Sequence, residues 1–339
     1  MKNMSPIQTK SVLIQTLCVP CRNRCRYCLL SWDGQTVGAA WERSVSLAER
    51  LIGELKEARP GVNVSFSFGY SMEHPDLRNA IRTLKRLGSP TAKFLQCDGM
   101  AMRDEKQCRD LMEMLKDEGV KTLSFTVYGS EKYHDRFAGR RGDFALLLRM
   151  MRAASASGIS FSTRIPITKE NINDANELIP LLKNVGNEKV SLFIPHAEGR
   201  GKNLEPIRLQ AQDLSALSPE NREVLNTKIY RTEAEWLSAP SPAQTSRAIL
   251  ISLRADNIEN YESRDAFSVV EEIEGLDEAY YAAFPSFEEL ARDYGDPEGQ
   301  CLYSFRDLWH RYRMRYAAEH DLKIYDVTDE RQSGSRRYE

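Results

Sequence analysis

Long apolar runs are missing from this chain of 339 residues: none approaches the ~20 residues that a membrane-crossing helix needs. The opening MKNMSPIQTK lacks the apolar stretch of an export signal, so a cytoplasmic location with no membrane partner is the expectation. An excess of one charge is missing too. Lys and Arg number 47 against 49 Asp and Glu, a net charge of −2. That balance argues against a protein that coats nucleic acid through its overall charge, although it leaves room for a local basic patch. Internal repeats and long low-complexity tracts are absent. Apolar residues make up 41%, or about 47% with glycine, an ordinary globular share. At ~150 residues per domain the length suits two domains, or one barrel of about 200–250 residues plus an extension.

Cysteine is where the composition stops being ordinary. There are seven, and four of them, Cys18, Cys21, Cys25 and Cys28, lie within eleven residues. An odd count without an export signal does not suit a disulfide framework, and clustered thiols in a reducing compartment usually mean metal.

Several segments alternate with period two. In 62–69, Val62, Val64, Phe66 and Phe68 share one face, and Asn63, Ser65, Ser67 and Gly69 the other. In 121–128, Leu123, Phe125 and Val127 oppose Thr122, Ser124, Thr126 and Tyr128. In 159–165, Ile159, Phe161 and Ile165 oppose Ser160, Ser162 and Arg164. Further strands are expected at 12–17, 92–97 and 189–195. Helical patterns lie between them: Ser44 precedes Leu47, Leu51 and Leu55, Asp104 and Gly119 bracket a second, Asp143 and Gly158 a third. Asn173 can cap a helix over 174–185, which Pro180 should kink or shorten.

Strand and helix thus alternate about six times between residues 12 and 195, the pattern of a parallel sheet with right-handed crossovers. Parallel strands covered on both faces read as continuous apolar runs. Three strands here carry instead one apolar face and one of small polar residues. A curved, open barrel satisfies both: the apolar face packs on outer helices and the polar face lines a lumen. Residues 202–250, with Pro206, Pro219, Pro240 and Pro242, read as irregular, 269–298 as acidic and aromatic, and 302–319 as helical.

The cysteine spacing is Cys18-x2-Cys21-x3-Cys25-x2-Cys28. A structural zinc site usually separates its two cysteine pairs by a dozen or more residues, whereas a short loop gathering thiolates around one body is an iron–sulfur arrangement. Three thiolates on three irons of a [4Fe–4S] cluster leave the fourth iron open to an amine and a carboxylate. The run Cys21-Arg-Asn-Arg-Cys25-Arg-Tyr27-Cys28, straight after a first strand, resembles the signature loop of the radical S-adenosylmethionine (radical SAM) superfamily. Gly69-Tyr70-Ser71-Met72-Glu73-His74-Pro75 resembles that family's Gly-Gly-Glu-Pro segment, departing from it at Tyr70 and in the place of the proline. Cys97-Asp98-Gly99 stands where relatives commonly carry Thr-Asn-Gly. Tyr128-Gly129-Ser130, His134 to Phe137, Gly142 to Phe144, residues 163–173 and Gly199-Arg200-Gly201 resemble segments of the peptide-modifying, SPASM-like branch. The likeness covers residues ~10–202.

The resemblance implies an α/β fold, a partial (βα)6 TIM-like radical SAM barrel over 10–202. A mostly helical C-terminal extension over 203–325 would cover the barrel opening, and 326–339 would be a mobile tail. It implies a [4Fe–4S] cluster on Cys21, Cys25 and Cys28, and S-adenosylmethionine held by Tyr27, Gly69, Tyr70, Ser71, Glu73, Ser124, Thr126 and Arg164. Tyr27 would be a wall near the adenine, Ser124 and Thr126 would reach the ribose, Glu73 would help to hold the ammonium, and Arg164 would pair with the carboxylate. The expected reaction is reductive cleavage of S-adenosylmethionine and hydrogen abstraction from a peptide or small metabolite. An external one-electron donor of the flavodoxin or ferredoxin type would drive it.

Other residues carry open readings. Cys18, Tyr128 and His196 are candidates for substrate contact, His196 as the one histidine expected at the barrel mouth; Cys18 is equally a bystander in the wall or a spare thiol. Arg22, Arg24 and Arg26 would favour thiolates, and form either a solvated basic loop or a face toward the electron donor. His134 orders its loop and His74 sits in a turn. The face that Asp98 shares with Gln96 is left open. Cys108 fits a core position, Cys97 and Cys301 stand alone, and a multi-cysteine C-terminal domain is not expected. Trp309-His310-Arg311-Tyr312-Arg313-Met314-Arg315-Tyr316 interleaves bases with aromatics. Nucleic-acid stacking, and with it RNA modification, is one reading of that segment; a surface helix with snorkelling arginines is the expected one. From another class, the cysteine loop would belong to a non-catalytic iron–sulfur or zinc-binding module.

Overall fold

The computed structural model describes residues 7–17, 21–28, 38–69, 71–186, 189–225, 229–324 and 337–338. The alternation seen in the sequence appears as β1 (Gln8–Leu17), α1 (Trp41–Ala58), β2 (Asn63–Gly69), α2 (Leu77–Arg86), β3 (Phe94–Gln96), α3 (Glu105–Asp117), β4 (Thr122–Thr126), α4 (Glu131–Ala138), α5 (Asp143–Ser157), β5 (Ser160–Pro166), α6 (Ala175–Asn184) and β6 (Lys189–Phe193). β1 pairs with β2, and β3 to β6 follow one another, all parallel. The ladder is interrupted between β2 and β3. There the Phe66 carbonyl accepts the hydroxyls of Ser89 and Thr91, at 2.5 and 2.9 Å, rather than a strand amide.

Helix ends follow the local chemistry. Asp104 and Gln107 form a reciprocal cap on α3, and Gly158 closes α5 in the left-handed region. α1 begins three residues before Ser44, which is buried within it. α6 begins after Asp174 and continues through Pro180. The apolar strand faces meet the helices: Val12, Ile14, Phe66, Phe68, Leu123, Phe125, Phe161 and Ile165 share one core with Leu51, Ile81, Leu115 and Leu147.

Beyond β6 come α7 (Pro219–Arg222), β7 (Arg231–Thr232), α8 (Glu233–Leu237), β8 (Gln244–Leu253), α9 (Ile258–Glu262), α10 (Ala266–Ala282), α11 (Phe287–Tyr294), β9 (Leu302–Tyr303), α12 (Phe305–His320) and β10 (Arg337–Tyr338). β8 overturns the reading of 202–250 as irregular. It pairs parallel with β1 over its length, and Ile249, Ile251 and Leu253 continue the barrel's apolar face. α10 then lies against α1, joined by the bidentate pair of Arg59 with Glu274 at 2.7 and 3.0 Å. The extension therefore adds a seventh parallel strand to the wall besides its helices. The pattern hid this because Arg247 interrupts the apolar alternation; its buried guanidinium is neutralised by Asp277 at 3.1 Å and Glu278 at 2.5 Å from α10. Within the tail expected to be mobile, β10 adds antiparallel to β8.

α8, α11, β9 and α12 enclose a separate aromatic core of Trp236, Phe287, Tyr294, Tyr303, Phe305 and Tyr312. This core corrects the surface-helix reading of 309–316. Arg313 is 1% exposed, and its guanidinium lies 4.7–5.9 Å from the rings of Tyr280, Tyr281, Phe284 and Trp309. Arg311 donates to Glu233 at 2.9 Å. Tyr312 and Arg313 are thus enclosed in the fold, whereas Arg311 is half-buried and Arg315 exposed.

Candidate functional site

The cysteine loop is pinned by backbone bonds from three directions. Arg22 N–H donates to Gly99 O at 3.0 Å, Arg24 N–H to Ala138 O at 2.7 Å and Arg26 N–H to Phe137 O at 3.1 Å; Cys28 O accepts from Arg200 N–H at 3.0 Å. Asn23 Nδ2 donates to the buried Asp143 at 3.0 Å. The loop is thus tied to the end of β3, to α4 and to the segment after β6, so Cys21, Cys25 and Cys28 sit where the strands of the arc end. Gly99 must be glycine: its φ is +65°, and a Cβ there would run into Cys21 Sγ.

The electrostatics of the thiols differ from expectation. Burial pushes Cys21 up to about 11 and Cys25 higher still, with Asp98 and the neighbouring thiols adding to the rise. The three arginines are not among the leading influences on Cys21 and Cys25, and their guanidinium groups are engaged elsewhere. Arg24 donates to the carbonyls of Cys21 and Asn23, Arg26 pairs with Glu170 at 2.7 Å, and Arg22 reaches Glu73 at 3.8 Å. Thiolates in this loop therefore call for a bound cation of their own. Among the described residues no three His, Cys, Asp or Glu side chains are gathered closely enough for a single metal ion. Three separate thiols on one loop, coupled electrostatically but not converging on a point, match the donor set of a polynuclear cluster with one thiolate per iron.

Facing the loop is the polar side of the sheet. The parallel register aligns Gln96, Ser124 and Ser162, then Thr126, Arg164 and Ser191. Asp98, one turn of chain beyond β3, belongs to this lumen: it accepts Thr126 N–H at 3.0 Å, Thr126 Oγ1 at 3.1 Å and Gln96 Nε2 at 2.6 Å. Its carboxyl is raised by burial, an effect that these donors and Arg164 partly offset. The open question of its face is answered. Arg164 stays solvent-accessible on the lumen side.

Tyr27 packs its ring against Tyr128, Phe137 and Phe193, at 5.7, 5.9 and 6.0 Å. Tyr128 is buried, and its hydroxyl lies 3.0 Å from Cys25 Sγ. His134 holds it there, accepting Tyr128 N–H on Nδ1 at 3.0 Å and meeting Asp143 through Nε2 at 3.1 Å. Gly69 ends β2. Tyr70, the Ser71 side chain and Cys18 lie outside the described residues. Glu73 is nearly buried and committed to Arg103 at 2.8 Å, so its charge is already answered by arginine. Cys97 and Cys108 are core residues, and Cys301 sits in an isolated bridge with Gln210.

His196 is not the single histidine of its neighbourhood. Its Nδ1 meets Asp307 of α12 at 3.0 and 3.2 Å, and the charge of this carboxylate raises the imidazole above 6.5. Asp307 is buried, also accepts Ser304 Oγ at 2.6 Å and Ala197 N–H at 3.3 Å, and is held well below the usual carboxylate range. His310, on the same helix, is within electrostatic reach of both and is lowered to about 3, mainly by burial and by Arg313. Asp307 had no signal in the sequence, standing 111 residues from its partner.

Residues 18–182 match the profile of the Radical SAM superfamily. The chain is 25% identical over 207 residues to the AdoMet-dependent heme synthase of Oleidesulfovibrio alaskensis, which covers 61% of this chain and 49% of that protein. It is 25% identical over 124 residues to the Fe-coproporphyrin III synthase of Methanosarcina barkeri, covering 37% of this chain and 29% of that protein. The chain thus spans about half the length of the first relative and less of the second. Among solved structures, Streptococcus suis SuiB bound to precursor peptide SuiA superposes with a TM-score of 0.49 at 13% identity, covering 72% of this chain and 58% of that one. Coproporphyrinogen III oxidase of Escherichia coli, a radical SAM enzyme, gives 0.45 at 10% identity over 92% and 91%.

Proposed function

The chain carries a radical SAM superfamily domain over residues 18–182, and from that premise we propose that it is an enzyme that cleaves S-adenosylmethionine reductively and abstracts hydrogen from a peptide or small metabolite. The observation that carries the reading is the pinned loop of Cys21, Cys25 and Cys28 beside a polar lumen. Bound there, a [4Fe–4S] cluster supplies one electron and an open iron, and S-adenosylmethionine supplies the 5′-deoxyadenosyl group.

The chain's own residues do the rest. Cys21, Cys25 and Cys28 provide the thiolates. Ser124, Thr126 and Arg164 offer hydroxyls and a guanidinium to the cofactor's ribose and carboxylate, Tyr27 offers an apolar wall, and the segment from Gly69 to Glu73 offers backbone carbonyls to its ammonium. Because Glu73 is paired with Arg103, the carbonyls rather than this carboxylate take that part. Residues of α12 tie the extension to the segment after β6 through the Asp307 pair with His196 and the Arg306 pair with Glu198 at 2.8 Å. The extension thereby limits water at the barrel mouth. An external one-electron carrier completes the system. The names of the two curated relatives put heme and coproporphyrin compounds first among the small molecules to test.

The deciding experiment is anaerobic reconstitution followed by reductant and S-adenosylmethionine. The parent protein is expected to bind iron and sulfide and release 5′-deoxyadenosine. Cys25→Ala should abolish that product, and Cys18→Ala should leave much of it. Zinc at one per chain with no iron uptake would instead support a non-catalytic binding module.

A further inference from the structure

We infer that the Tyr128 hydroxyl donates a hydrogen bond to the Cys25 thiolate and thereby raises the reduction potential of the cluster, an inference that rests on the cluster reading of the three-cysteine loop. The distance between Tyr128 OH and Cys25 Sγ is 3.0 Å. A metal-bound thiolate has no proton, so in this pair only the phenol can donate.

The hydroxyl is held in place from every side. The Tyr128 ring stacks on His134 at 4.8 Å and lies against Phe137 at 4.8 Å. Its backbone N–H is bound by His134 Nδ1, and its carbonyl accepts Asn171 Nδ2 at 2.6 Å. The residue is 2% exposed, so water does not compete for the proton. Cys21, by contrast, is met by the backbone N–H of Asn23.

A donor to a ligand sulfur stabilises the more negative, reduced state, and a low local dielectric strengthens the effect. The bond would therefore make the cluster easier for an external carrier to reduce and leave its assembly unchanged.

The test compares the anaerobically reconstituted parent with Tyr128→Phe, which removes one oxygen and keeps the ring, and with Tyr133→Phe, which removes a hydroxyl of α4 that bonds to Glu170 instead. Potentiometric titration followed by electron paramagnetic resonance should show unchanged iron and sulfide content in Tyr128→Phe. At a fixed solution potential its ratio of reduced to oxidised cluster should fall roughly ten-fold, about 59 mV for a one-electron couple. Tyr133→Phe should titrate like the parent. In deuterium oxide, pulsed spectra of the reduced parent should show an exchangeable deuteron coupled to the cluster, and Tyr128→Phe should lack it. Equal potentials in Tyr128→Phe and parent would overturn the inference. If the variant fails to hold a cluster, absence of the exchangeable coupling in the parent alone overturns it, and its presence supports it. A parent that takes up no iron would sink the cluster reading itself, a separate result.

Discussion

Replacing Asp307 with Asn tests whether the extension is fastened to the barrel by a charge pair. Asp307 accepts from His196, Ser304 and Ala197 in a buried setting, and Asn can keep the neutral contacts but not the charge. A hydrogen bond between charged groups contributes about 1.5–3 kcal/mol. The His196 side chain is 36% exposed, so solvent screening places the expected loss near the lower part of that range, about 2 kcal/mol at pH 6. The sign of the pH dependence follows from the two shifts. His196 is raised above 6.5, so its share is fully present below 6.5 and is lost as pH rises through the elevated value. Asp307 is lowered below 3.8, so its share is present above 3.8 and is lost only as pH falls through the depressed value. The pair contributes in full between those limits and fades on the alkaline side. Urea unfolding followed by the fluorescence of Trp236 and Trp309, which lie in the adjoining core, should give the full penalty at pH 6 and a smaller one at pH 9. A penalty that stays constant or grows from pH 6 to pH 9 would refute the pairing. A double-mutant cycle with His196→Gln should recover the same interaction energy at pH 6 and less of it at pH 9.

Arg164→Ala should weaken S-adenosylmethionine binding by about ten- to a hundred-fold, the equivalent of a lost charge-assisted bond, with iron content unchanged; equilibrium binding on the reconstituted protein measures it, and loss of iron would show a structural role instead. Gly99→Ala should cost about 1–2 kcal/mol from the left-handed backbone alone, and its Cβ would push against Cys21 Sγ; iron uptake should fall sharply, and normal loading would contradict the geometry of the loop. Arg313→Met should leave 5′-deoxyadenosine formation intact while lowering the thermal midpoint, since the guanidinium is enclosed by rings of the extension; an unchanged midpoint with loss of nucleic-acid binding would refute a structural role for Arg313.

The first six strands of the wall, the helices between them and the three-cysteine loop were legible because each is a local pattern. A period of two marks which residues of 62–69, 121–128 and 159–165 share a face, whatever the strand later pairs with. The spacing of Cys21, Cys25 and Cys28 is equally local. It fixes how many thiolates one short loop can present, and so the class of metal centre. What the sequence left undecided is a matter of partners far apart in the chain. The choice of β8 as the neighbour of β1, the turning of Asp98 into the lumen, the pairing of His196 with Asp307 and the approach of Tyr128 to Cys25 all depend on packing. Arg313 shows the limit from the other side: its charge marks it for the surface, yet four aromatic rings, from α10, the bend after it and α12, enclose it. Spacing and periodicity are properties of neighbours along the backbone. A buried charge or a hydrogen bond to sulfur is decided only when the fold removes water and brings distant residues within about 3 Å of each other.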